Sequence, residues 1–185
     1  MKTLFTLLLL VTAGRSWAQE ALPPPPVDVN TGLITYTEVV PTSGVTQATM
    51  LARAKVWANR VSIPAKPPLI VNEMGTDVLV VAVSQLLPAD ALLSTTRLYL
   101  LAQVSLREGR YQYRFEEFTF ETNVATFVPV EQTLLGNNST GTKNEKKILA
   151  HARAQFEQAV GQAAATLRAS LLTPLAPPLA NGTDW

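Results

Sequence analysis

Two adjacent carboxylates, Glu116 and Glu117, lie within the stretch REGRYQYRFEEFTFE (residues 107–121), and His151 is the only histidine among 185 residues. A pair of carboxylates is the equipment of glycoside hydrolysis, one group protonating the leaving oxygen while the other acts as base or nucleophile. A histidine serves as the base when a nucleophile and an orienting acid stand beside it. A second set, Arg97, Tyr99, Arg107, Arg110 and Arg114, offers guanidinium groups next to an aromatic ring. That combination holds carboxylates, phosphates or glycans. The chain has no cysteine, which removes thiolate catalysis and disulfides, and a single histidine leaves a zinc site short of ligands. Glycine-rich phosphate loops and a G-x-S-x-G elbow are absent from the sequence. Neither a metal nor a cofactor is expected.

The elements that position these groups can be read from alternation. Residues 97–107 alternate cleanly, with Leu98, Leu100, Ala102, Val104 and Leu106 on one face and Arg97, Tyr99, Leu101, Gln103, Ser105 and Arg107 on the other. Glu108-Gly109 reads as a two-residue hairpin turn. It sets Leu106 opposite Tyr111, Val104 opposite Tyr113 and Ala102 opposite Phe115 on the apolar side. Strict pairing would next bury Glu117 against Leu100, and an unpaired buried carboxylate costs several kcal/mol. A β-bulge repairs the register: Glu116 and Glu117 together oppose Leu101, and Phe118 and Phe120 return to the apolar side against Leu100 and Leu98. Neighbouring strand residues point to opposite faces, so two adjacent glutamates are poorly placed to flank one scissile bond. They read as a device that turns the strand. His151, between two alanines on a helix, reads as a surface residue. Arg97, Tyr99, Arg107, Arg110 and Arg114 share the polar face, where Glu116 can neutralise part of their charge. Such a face stays soluble by being charged, and it can also bind.

The rest of the chain supplies a setting. A basic start, an apolar run over residues 4–11 and the small residues Ser16 and Ala18 form a secretory signal peptide, cleaved after Ala18. The run is about half of the ~20 residues that span a bilayer, and no later segment is long enough. Removing residues 1–18 takes away Lys2 and Arg15, so 15 basic residues become 13 against 14 acidic ones. A slightly acidic chain argues against a nucleic-acid partner. Four prolines, Pro23 to Pro26, make residues 19–29 a stiff spacer. Residues 33–40 read as a strand and residues 47–61 as a helix capped by Thr46 or Ser43, with Met50 or Leu51, Ala54, Trp57 or Ala58, and Val61 inward and Arg53 outward. Residues 69–73 and 77–86 form a hairpin. Within it residues 78–83 are apolar at every position, so both faces should be covered or central. Residues 122–142 read as a flexible linker, residues 143–172 as a long helix with a stripe from Ile148 to Leu171, and residues 173–185 as a disordered tail. Sequons at Asn137, Asn138 and Asn181 matter only in a eukaryotic secretory pathway.

The strand GLITYTEVV, the helix SGVTQATMLARAKVWANR and the strand EGRYQYRFEEF resemble an uncharacterised family of exported bacterial domains described as having a TATA-binding-protein-like fold. The resemblance covers residues 30–121, follows the family only in outline over residues 62–93, and extends to the last helix. It implies an α+β domain over residues 30–172, a curved antiparallel sheet of about five strands with helices on one face, in the order β-α-β-β-β-β-α. It implies no activity, because that family brings no catalytic or binding residues, and the fold name does not bring DNA binding.

The expectation is a non-enzymatic, exported binding or interaction module, periplasmic or extracellular, in a cell-envelope assembly. Its partner is an unidentified protein or an anionic envelope ligand, or a second copy in a homodimer, with Leu101 exposed among the arginines as the hint. The alternative is a hydrolase of envelope glycan or peptide using Glu116, Glu117 or His151, which requires those groups to share one pocket.

Overall fold

The computed structural model describes residues 23–88, 95–136 and 141–173. The signal segment 1–18, residues 174–185 of the tail and all three sequon asparagines lie outside the described residues. The elements are β1 (Tyr36–Pro41), α1 (Gln47–Val61), β2 (Leu69–Glu73), β3 (Thr76–Leu86), β4 (Thr95–Arg107), β5 (Arg110–Thr122), β6 (Phe127–Pro129), α2 (Val130–Leu134) and α3 (Lys143–Leu172). The strands form one antiparallel sheet in the order β1-β5-β4-β3-β2, with β6 also paired to β5. β6 and α2 occupy part of the stretch read as a linker, because Val130 is an apolar residue the core can bury. The first strand starts later than residue 33. Its preceding residues fold back on the proline-rich segment, where Val27 bridges Ile34 and the Thr35 amide donates to the Pro26 carbonyl at 3.0 Å.

Helix starts follow local chemistry. The Thr46 hydroxyl accepts from the Thr49 amide at the head of α1, and Thr142 and Glu145 form a reciprocal capping box at the head of α3. α1 ends before Pro64, which cannot continue it.

The register of β4 on β5 is the one alternation predicts. Leu106 pairs with Tyr111, Val104 with Tyr113, Ala102 with Phe115 and Leu101 with Glu116; beyond a shift, Tyr99 pairs with Thr119 and Leu98 with Phe120. The extra residue sits at Glu117, whose φ of 55° is left-handed. A second irregularity around Thr96 shifts the register again near the strand ends. The bulge has a further role. β1 pairs with β5 over Arg110 to Phe115 and β6 pairs with it over Thr119 to Glu121. The β5 edge therefore passes from one partner strand to the other at Glu116–Glu117.

On the helix side, Leu98, Leu100, Ala102, Val104 and Leu106 join the aromatic row of β5 in one core. Met50, Ala54, Trp57 and Ala58 of α1 and Phe156, Val160, Leu167 and Leu171 of α3 cover it. Phe156 takes the rings of Phe118 and Phe120 edge-on, at centroid distances of 5.0 and 6.3 Å. Two expectations are corrected here. Ile148, the first residue of the stripe, is exposed, and the buried residues of α3 begin one turn later at Ala152. Arg53 is buried, because Nη1 donates at 2.7 Å to the carbonyl of Leu171, and a helix C-terminus welcomes a cation.

Residues 78–83 are central, the second of the two forms expected, since β3 lies between β4 and β2. Leu79, Val81 and Val83 face the helices, but Val78, Val80 and Ala82 lie on the opposite side, where no described element covers them.

The left-handed Glu117 generates a prediction. Glu117→Gly relieves the Cβ clash and is expected to stabilise the fold by about 1 kcal/mol in urea denaturation. Deleting Glu117 should turn Phe118 and Phe120 to the wrong face and abolish the cooperative transition. A deletion variant that unfolds as cooperatively as the parent would show that the bulge is dispensable.

Candidate functional site

The three groups a hydrolase would need do not come together. Glu116 lies on the uncovered face, its Oε2 accepting from Arg114 Nε at 2.7 Å. Glu117 is exposed at the bulge, and His151 is part-buried on α3, across the sheet. None of the three lines a described concavity.

The five residues of the polar face do share that face, yet they form three groups. Ten residues separate Arg97 from Arg107 on one strand, roughly 33 Å at 3.3 Å per residue. At one end Arg97 donates to Ser84 Oγ at 2.7 Å and faces Glu121 at 3.6 Å. Tyr99 there donates its hydroxyl to Glu121 Oε2 at 2.8 Å. Burial and then the Glu121 carboxylate push the Tyr99 hydroxyl up from its usual range. In the middle Arg114 sits between Glu116 and Asp28, the latter at 3.2 Å. The Asn30 amide, and after it Arg114, hold the Asp28 carboxyl below its ordinary range. Glu116 thus neutralises Arg114, as expected from sequence. Leu101 is half-buried rather than exposed, because it pairs with Ala82 and Glu116 on either side.

At the other end Arg107 and Arg110 are direct cross-strand partners beside the Glu108-Gly109 turn. They line a shallow concavity of about 710 Å³ together with Gln103, Ser105, Val39 and Val78. Arg107 Nε donates to Thr76 Oγ1 at 2.7 Å, and Arg110 is exposed. Neither makes an ion pair with a described residue. Sequence alternation already placed Gln103 and Ser105 on this face. Val39 and Val78 arrive only through the pairing of β1 with β5 and of β3 with β4, and no local signal marks them.

A second cluster of titratable groups closes the β1 edge against α3. Tyr36 donates its hydroxyl to Glu157 and Tyr113 to Glu38 Oε2, both at 2.8 Å, and Glu38 Oε1 accepts from Arg168 at 2.6 Å. Burial first and Glu157 second push the Tyr36 hydroxyl far up, and burial with Glu38 pushes Tyr113 up to about 12. Phenols held this firmly protonated serve neither as bases nor as nucleophiles at neutral pH. The cluster ties helix to sheet.

Three predictions follow from these geometries. The Tyr113 contribution is complete below its ordinary value of 10 and is lost as pH rises through about 12. Tyr113→Phe should therefore lose less stability than the parent between about pH 10 and about pH 12, read from urea midpoints. On the uncovered face, Arg110→Ala should stay within about 0.5 kcal/mol of the parent, since it removes a like-charge cross-strand contact. Arg114→Ala should lower the melting temperature, and more so at low salt, because it leaves Asp28 and Glu116 without their cation.

Comparison with solved structures gives two similar folds. A DUF4468 family protein from Bacteroides ovatus matches with a TM-score of 0.53 at 14% identity, covering 84% of this chain and 94% of that one. A TBP-like protein from Parabacteroides distasonis matches with a TM-score of 0.51 at 13% identity, covering 80% and 98%. No family model matches the chain, and no curated protein matches it. At such identities the likeness carries the fold alone. An antiparallel sheet with its helices on one side, in the TATA-binding-protein-like arrangement, is what this chain shares with both.

Proposed function

We propose that the chain is an exported, non-enzymatic binding module that receives a partner protein of the cell envelope on the uncovered face of its sheet. The observation that carries this reading is the apolar strip on that face. Leu69 pairs with Val80, Val71 with Val78 and Ala82 with Leu101, giving contiguous apolar pairs across β2, β3 and β4. Leu69 is 60% exposed, and Val39 and Phe127 at the other edge are 54% and 59% exposed. A face whose task was only to stay wet would be polar at these positions. Five strands about 4.8 Å apart and averaging about 30 Å in length offer roughly 700 Å² on one partner, the size of an ordinary specific interface. The hydrolase alternative loses its basis in the separation of Glu116, Glu117 and His151.

Export rests on the signal-like residues 1–18. Two measurements in the native cell test the reading. Fractionation should recover a chain beginning at Gln19 outside the cytoplasm; retention of residues 1–18 inside would remove export. A photo-crosslinking residue at Gln103 should give one discrete adduct that Val78→Asp abolishes, while the same probe at Gln158, exposed on α3, gives none. An adduct at twice the chain mass would identify the partner as a second copy, and adducts only from Gln158 would move the interface to the helices.

A further inference from the structure

We propose that the tip of the β4–β5 hairpin, at Arg107 and Arg110, binds an oxyanion, a carboxylate or phosphate group of the ligand that occupies the uncovered face. This rests on the reading of that face as the binding surface and names the chemistry of one part of it. The first observation is a charge left unbalanced. Arg107 and Arg110 are direct cross-strand partners on one face, and like charges so placed repel. Every other arginine on that face has its carboxylate, Arg97 with Glu121 and Arg114 with Asp28 and Glu116.

The second observation is where the nearby acids have gone. Glu108, in the turn between the two arginines, accepts at 3.1 Å from the Gln47 amide at the start of α1. There it meets the positive end of a helix. Asp77 accepts from Gln47 Nε2 at 2.9 Å and Asn72 Nδ2 at 2.7 Å. Those two side chains hold its carboxyl below the ordinary range. Glu108 and Asp77, two of the acids at this end of the sheet, are thus engaged by donors other than the arginines.

The third observation is preorganisation. The Thr42 amide donates to the Gly109 carbonyl at 2.8 Å, which pins the turn to the end of β1. Gly109, at φ 75°, takes the left-handed conformation that a tight turn requires. The bond from Arg107 Nε to Thr76 orients one guanidinium and leaves its Nη groups for another acceptor. Gln103 and Ser105 add neutral donors to the same concavity, and Val39 and Val78 supply an apolar wall. Two oriented guanidinium groups form charge-assisted, bidentate bonds to a planar carboxylate or to two phosphate oxygens. The wall takes the less polar remainder of the ligand.

The purified chain is titrated with inorganic phosphate and, separately, with succinate at low ionic strength, following the arginine Nε–H resonances. Saturable shifts at Arg107 and Arg110, with a Kd of about 1 mM, are expected in at least one arm. The arm that saturates identifies the oxyanion. Arg110→Ala should weaken binding about tenfold, and Arg114→Ala should leave it within about twofold. Shifts that rise linearly in both arms, or a Kd unchanged by Arg110→Ala, overturn the proposal. Loss of the anion site with the Gln103 adduct intact removes this inference and leaves the docking face standing. Anion binding without any adduct keeps the site and removes the partner protein.

Discussion

Side chains on a β-strand alternate, and β5 has to put five aromatic rings on one side. Tyr111, Tyr113 and Phe115 do so in one phase and Phe118 and Phe120 in the other, all buried. No regular strand satisfies both phases, so the backbone takes one residue out of the ladder at Glu117 and accepts a left-handed φ there. Much of the architecture follows from that concession. The rings of the second half, Phe118 and Phe120, reach Phe156 of α3. The same break lets β1 and β6 share one edge of β5, each pairing with the half whose register it fits.

Helices hold only one side of the sheet, and they are tied down by polar groups at their margins. Arg53 reaches the Leu171 carbonyl near the end of α3, while Tyr36, Tyr113 and Glu38 meet Glu157 and Arg168 along the β1 edge. Buried hydroxyls and guanidinium groups need partners, so these bonds restrict where α3 can lie as well as adding to stability. With both long helices committed to one side, the other side is left as a broad surface of mixed character.

That surface is ordered by charge. Two of its three basic groups are neutralised internally, by Glu121 and by the Asp28–Glu116 pair, and these read as structural. The third, at the hairpin tip, remains cationic beside an apolar strip that water covers at some cost in free energy. Glycosidase-like chemistry has no comparable support, since its carboxylates and histidine stand on different sides of the sheet.

Sequence by itself determined what depends on near neighbours. Alternation over residues 97–121 set the face of every side chain and located the bulge, because an unpaired glutamate in the core is too costly to permit. Proline and threonine positions set the limits of α1. The α+β order and the one-sided helices were legible through the resemblance. Local patterns could not supply contacts between distant segments. Asp28 meets Arg114 across 86 positions and Arg53 meets Leu171 across 118. The stripe on α1 assigned Arg53 to water because helical periodicity cannot see the end of another helix. Residues 78–83 asked to be covered on both faces or central, and only tertiary structure decided that they are central with one face left open. Five residues looked like one basic site, and only tertiary structure divided them by deciding which carboxylate reached which arginine. The physical reason is the same throughout. Alternation and capping act over a few residues, whereas neutralisation and burial depend on which strands and helices become neighbours.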